Sequence, residues 1–189
     1  MKNIYFVGKA GAGKTYACNY LKEKYNYKQA KFAYPVYGIA RDYFEMKNKD
    51  RKLLQTIGTD IAREKIHQDI WIDRFRQDIF IVEATSMQMG FDLPQFVSDD
   101  CRFENEHKLL KSMGWVGIYL DVTDDIRIKR LGNRDGNAQI ETLNHSSETS
   151  LDNFKNDLIK IDSSGTLQQT YNQLNEFMKV ANNNQNISL

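Results

Sequence analysis

Apolar and polar residues fall along the chain in blocks whose spacing switches between the period of a strand and that of a helix. Asn3 to Val7 is a short, mostly apolar run that predicts a buried strand. Beyond it Ala17, Tyr20, Leu21 and Tyr25 recur at helical spacing, so residues 8–15 link a strand to a helix. Lys31 to Gly38 follows, with Pro35 predicting a turn. Ile39 to Met46 then reads as helix and Asn48 to Lys52 as a charged connector. Leu53 to Ile66 is helical in pattern, with an interruption at Gly58-Thr59-Asp60. Ile70, Trp71, Phe75, Ile79 and Val82 recur mostly at every fourth position and predict a helix to about Met87, although Ile79 to Val82 alone would suit a strand equally.

Gln95 to Ser98 is strand-like and ends in Asp99-Asp100. Glu104 to Met113 predicts a helix stopped by Gly114, and Trp115 to Val122 a strand. Asp124 to Leu131 starts a helix rich in Arg and Lys, and Gly132 to Asn144 reads as polar loop. Leu158 to Ile161 suits a last short strand, Asp162 to Gly165 a turn, and Thr166 to Val180 a closing helix with Leu167, Tyr171, Leu174 and Met178 on one face. Strands alternating with helices predict an α/β three-layer sandwich, a mainly parallel sheet covered on both sides. Ligands of such sheets gather beyond the carboxyl ends of the strands, where Gly8 and Asp99-Asp100 fall.

Length and charge narrow the picture. A chain of 189 residues suits one domain, here expected over 1–180, with the Asn-rich stretch 181–189 as a disordered tail. With a net charge of +1, broad electrostatic attraction to nucleic acid or to a membrane is not expected. The first apolar run is far too short for a secretory leader, and none approaches a membrane span. Cys18 and Cys101 show no zinc-type spacing, which suits a reducing cytoplasmic setting. His67, His107 and His145 form no metal pattern.

The linker after the first strand carries the strongest chemical signal. Gly8-Lys-Ala10-Gly11-Ala12-Gly13-Lys14-Thr15 matches G-x-x-x-x-G-K-[ST] at every fixed position. Backbone N–H groups of such a loop cradle phosphate oxygens, and the following helix adds its positive end. Lys14 can reach the β- and γ-phosphates of ATP, and the Thr15 hydroxyl can ligate Mg²⁺.

Three other groups change the picture less. In Asp99-Asp100-Cys101-Arg102-Phe103, a carboxylate can hold Mg²⁺ through water or accept a hydrogen bond from Thr15, and Arg102 presents a fork suited to phosphate. Asp100 is the candidate for aligning metal or acceptor, with Asp99 as the alternative. Arg127, Lys129, Arg130 and Arg134 lie within eight positions. They suit a mobile lid over about 124–144, with Arg130 and Arg134 closing on the transferring group; the competing reading is a solvated helix face. Arg63 suits an acceptor's phosphate, with Thr59 or Asp60 reading a base or sugar edge, against a plain helix cap at Asp60. Phe32, Tyr34 and Trp71 could stack on a base or simply fill the core.

Taken together, several segments resemble one family. Gly8 to Thr15, Phe32-Ala-x-Pro35, Gln55-x-x-Gly-Thr-Asp-x-x-Arg63, Asp69-x-Trp71 and Asp100-x-Arg-Phe-x-Asn-Glu106 occur in that order, followed by His145-x-Ser-Glu148 and Asp162-x-x-Gly165-Thr-Leu. This is similar to the deoxynucleoside monophosphate kinases of bacteriophages and their relatives. The resemblance implies a P-loop kinase fold with a mobile lid. It also implies transfer of the γ-phosphoryl of ATP, with Mg²⁺, to a deoxynucleoside monophosphate. The implied acceptor contacts lie near Phe32, Arg63, Trp71 and Arg102, and the lid arginines near Arg130 and Arg134. The chain departs from the pattern at Asp162, where Asn is expected, and at Tyr37, where Lys is expected; residues 77–94 match nothing in it. Two other activities suit the phosphate loop: another small-molecule kinase of the dephospho-coenzyme A kinase type, and an ATPase or switch module. Base choice, deoxyribose selectivity and homodimer formation stay open at this level.

Overall fold

The computed structural model describes residues 2–135 and 152–183. Five strands form one parallel sheet in the order β2-β3-β1-β4-β5: β1 (Ile4–Val7), β2 (Lys28–Gln29), β3 (Phe96–Ser98), β4 (Val116–Asp121) and β5 (Ile159–Asp162). The alternation along β1 divides the core. Ile4 and Phe6 face α1 (Lys14–Tyr25) and the closing helix α7 (Leu167–Asn183), packing with Cys18, Leu21, Leu174 and Met178. Tyr5 and Val7 face the opposite layer with Phe32, Trp71, Phe75 and Trp115. Apolar side chains on both faces are what a parallel sheet covered by two helical layers requires. This three-layer arrangement is the P-loop kinase fold.

The second layer holds α2 (Tyr34–Phe44), α3 (Arg51–Gln55), α4 (Ile70–Gln88) and α5 (Glu104–Ser112). Four expectations about element limits are corrected. Pro35 does not make a turn: it sits in the first turn of α2, where its missing N–H costs nothing, and the helix therefore starts at Tyr34. The stretch Leu53 to Ile66 is not interrupted at Gly58. From Thr56 to Ile66 the helix widens to π-type turns, closing with a bond from His67 N to Ala62 O at 2.9 Å. Residues 132–135, read as loop, belong to α6 (Asp124–Asp135). The closing helix runs past Val180 to Asn183, into the stretch read as a tail, while 184–189 lie outside the described residues. Residues 79–82 are helical, within α4.

Cys18 and Cys101 are buried free thiols, and His107 is a satisfied core histidine, 3.0 Å from the Tyr5 hydroxyl. Among the described residues no helix is long and apolar enough to cross a membrane.

Candidate active site

All strands run the same way, so their carboxyl ends meet at one edge, and the functional segments leave from there. The loop after β1 wraps tightly. Gly13 caps α1 at φ +92, a left-handed conformation that a side chain would strain. Gly11, at φ +86, lies so close to α6 that a Cβ would come within 2.6 Å of the Arg127 carbonyl oxygen. Ala10 and Ala12 are buried, and the Ala12 N–H donates to Lys9 O at 3.1 Å. The Lys14 ammonium folds back over the loop, donating to Gly8 O and, at 3.2 Å, to Lys9 O.

Thr15, in the first turn of α1, donates its hydroxyl proton to the Asp99 carboxylate at 2.8 Å. Asp99 also accepts from the Gln29 side chain at 3.1 Å and pairs with Lys31 at 3.0 Å. Burial alone would raise the Asp99 carboxyl; the Lys31 ammonium and the three hydrogen bonds outweigh it and hold the group below the ordinary carboxylate range. Asp100 points elsewhere. It accepts from Phe32 N at 3.3 Å, Ala33 N at 2.9 Å and the Ser98 hydroxyl at 2.9 Å, and burial pushes its carboxyl up. Of the two carboxylates, Asp99 is thus the one bonded to Thr15, while Asp100 ties down the turn that leads into α2.

That turn is one wall of a cavity. Phe32, Ala33, Val36 and Tyr37 form this wall; the Phe32 ring is braced from behind by Phe75 at 4.1 Å between centroids. Opposite stand Leu54, Gln55, Gly58, Thr59 and Arg63 from α3 and the π-helical turns, with Trp71 held by its indole N–H on Gly58 O at 2.8 Å. The floor is the loop from β3 to α5, with Asp100, Arg102, Phe103 and Glu106. Arg63 lies over the Phe103 ring, 4.3 Å from its centroid, and its guanidinium is paired with the Glu106 carboxylate. Glu106 also accepts from Arg102 N at 2.6 Å and Phe103 N at 3.0 Å, closing the first turn of α5. Burial pushes its carboxyl up to about 7, against the pull of Arg63 and these amides.

The fold brings Phe32, Thr59, Arg63, Trp71 and Arg102, five of the candidate acceptor contacts, to the lining of one cavity together with Asp100. Asp60 is not part of its wall. Arg130 donates to Gly165 O at 2.8 Å and Ser164 O at 3.5 Å, beside the turn after β5. Arg127, which the sequence does not single out, is the arginine of α6 whose backbone touches the phosphate loop. The Arg134 side chain, residues 136–144 and the His145-x-Ser-Glu148 segment lie outside the described residues. Lys31, Gln29, Tyr37, Phe103 and Glu106 were missed by sequence reasoning. Gln55, Phe103 and Glu106 carried a signal as members of two family-like segments and Tyr37 as a departure from the pattern, but Gln29, in a strand of two residues, and Lys31, just beyond it, carried none.

Comparison with known proteins points the same way. Residues 44–174 match the model of the family described as deoxynucleotide monophosphate kinase, well over half of the chain. A protein of Acanthamoeba polyphaga mimivirus, provisionally named a deoxynucleotide monophosphate kinase, is 25% identical over 198 residues, covering 90% of this chain and 93% of its own. Among solved structures, an unliganded sugar kinase from a Janibacter species superposes with a TM-score of 0.58 at 16% identity, covering 96% of each chain. A gluconokinase from Sinorhizobium meliloti gives 0.55 at 17%, covering 100% of this chain and 98% of that one. At those identities the two structures speak for the fold alone. The family match spans π-helical turns, cavity floor and α6 alike, and on that ground the chain belongs to the deoxynucleotide monophosphate kinase family of nucleotide kinases.

Proposed function

We propose that this kinase transfers the γ-phosphoryl of ATP to a deoxynucleoside monophosphate, giving ADP and the diphosphate. The observation that carries this reading is one edge of the sheet with two adjoining sites. One is a phosphate loop whose Thr15 meets Asp99; the other is a cavity walled by aromatic rings and lined by Arg63 and Arg102. The loop amides and Lys14 would hold the triphosphate, with Lys14 leaving its present carbonyl partners to do so. In the cavity, Phe32 and Trp71 suit the faces of a base, Gln55 and Thr59 its polar edge or the sugar, and Arg63 and Arg102 the acceptor phosphate.

Thr15 and Asp99 offer hard oxygen donors 2.8 Å apart. Among the described residues there is no group of three or more His, Cys, Asp or Glu that would enclose an ion. That partial donor set fits Mg²⁺, which keeps several waters and shares phosphate oxygens. Bound there, Mg²⁺ would neutralise charge on the phosphate chain. The remaining work is positioning. An oxygen of the acceptor phosphate attacks the γ-phosphorus, the bond from that phosphorus to the β–γ bridging oxygen breaks, and the electron pair leaves with ADP. A phosphate monoester with a second pKa near 6 is largely dianionic at neutral pH, so no protein base is needed. Asp100 acts through the Phe32-Ala33 turn rather than on the reacting atoms. Arg130 and Arg134, both carried by α6, are assigned as the arginines that close over the transferring phosphoryl group.

A coupled ADP-release assay with each deoxy- and ribonucleoside monophosphate tests the proposal. Mg²⁺-dependent turnover with at least one deoxynucleoside monophosphate is expected. Turnover of dephospho-coenzyme A or gluconate with none of the monophosphates would overturn it.

A further inference from the structure

Lys31 sits where the two halves of the site meet. Strand β2 runs parallel to β3 in the register Lys28 to Phe96 and Gln29 to Val97, and Ala30 N continues it onto Val97 O at 2.9 Å. Two residues further along this register, Lys31 falls beside Asp99. Its ammonium lies 3.0 Å from one carboxylate oxygen, while the other takes the Thr15 hydroxyl at 2.8 Å. The next two residues are cavity wall, with their amides on Asp100. Lys31 is thus one charged group from the phosphate loop on one side and one peptide from the acceptor cavity on the other. Its side chain is 23% exposed. Among the described residues Asp99 is its one ion-pair partner, so the ammonium, with three donors, has protons to spare.

We propose that Lys31 is a catalytic residue of this kinase: its ammonium contacts the phosphoryl group while that group passes between ATP and the acceptor. This rests on the reading of the site as a nucleoside monophosphate kinase. Lys31 forms no covalent bond and exchanges no proton. It stabilises the negative charge spread over the oxygens of the group in flight, an interaction available only when donor and acceptor are both in place. A lysine suits this role, because a compact charge on a flexible stem can follow a moving group where a rigid guanidinium fork cannot. Lys14 approaches from the loop and Lys31 from the strand end that faces the acceptor, so the two cations flank the transfer path from different elements.

The test uses the full chain and three ligands measured by calorimetry: ATP, the preferred deoxynucleoside monophosphate, and a bisubstrate compound joining adenosine and a deoxynucleoside through five phosphates. In Lys31→Met, ATP and the monophosphate should bind within about threefold of the native chain, the bisubstrate compound should weaken at least about tenfold, and kcat should fall about a hundredfold. Lys31→Arg should recover part of the bisubstrate affinity. Lys31→Gln serves in place of Lys31→Met if the latter loses its thermal unfolding transition. If Lys31 served only to neutralise Asp99, the loss would vanish in an Asp99→Asn background; it should persist there. Unchanged bisubstrate affinity, or a loss that disappears with Asp99→Asn, overturns the assignment while leaving the kinase reading intact. A native chain inert toward every deoxynucleoside monophosphate overturns both.

Discussion

Burial pushes the Glu106 carboxyl up to about 7 from its usual 4.5, although Arg63 and two amides pull the other way. A raised acid pKa means that the folded chain holds this proton more tightly than the unfolded one. Its contribution to stability is then fully present below about pH 4.5 and is lost as pH rises through 7. Urea unfolding of the native chain and of Glu106→Gln should show the native chain losing ground between those pH values. Glu106→Ala is harsher, because it strands the Arg63 charge in a buried site, and should cost about 3–5 kcal/mol in the same measurement. Asp99 and Asp100 should separate in kinetics. Asp99→Asn should lower kcat about a hundredfold or more by weakening the Thr15 corner, whereas Asp100→Asn should mainly raise the KM for the monophosphate. Steady-state kinetics at saturating ATP distinguishes them. The phosphate loop was legible in the sequence because its residues are contiguous. The division of labour between the two aspartates was not, since it depends on which strand partner each one faces. Lys31 and the Arg63–Glu106 pair were hidden for the same reason.

At the scale of elements, the helix from Arg51 to Ile66 changes its winding just where it borders the cavity. Across the π-helical turns Thr59 and Arg63, four apart, still fall on one face, as they would on an α-helix, and line the same wall. The sequence pattern registered this as an interruption at Gly58 because an apolar period of 3.6 no longer fits, which located the irregularity but not its nature. Pro35 misled in a related way: it is read as a breaker, yet at a helix start it is compatible with helix. The contact between α6 and the phosphate loop was not legible at all, because it depends on the missing side chain of Gly11. Gly11→Ala should therefore push α6 off the loop and strain a left-handed backbone, weakening ATP binding at least about tenfold with monophosphate binding kept. Calorimetry with each nucleotide checks it.

On the proposed function the whole molecule offers two ligand sites on one scaffold, and each ligand should stabilise it on its own account. At about a hundred times its dissociation constant, a ligand that binds only the folded chain adds about 2.7 kcal/mol. ATP and a deoxynucleoside monophosphate should each raise the thermal midpoint by several degrees. In Lys14→Ala the ATP shift should shrink sharply while the monophosphate shift remains, and turnover should be lost; loss of both shifts would mean that the variant is misfolded or that the sites are not separate. The alternation of strands and helices was the most legible feature, the two-residue β2 excepted, because alternating blocks of apolar residues imply a parallel sheet with covered faces. The cavity was legible only as scattered family-like segments that the sheet then gathers.

That strand order also bears on how the chain is born. Thr15 and the Asp99 that completes its corner are 84 residues apart. At translation rates of about 5–20 residues per second, the amino-terminal segment waits on the order of 4–17 s before its partner leaves the ribosome. During synthesis the glycine loop is therefore an unfinished phosphate binder, and the nascent protein gains its nucleotide-handling edge only when β3 slides in beside the first strand.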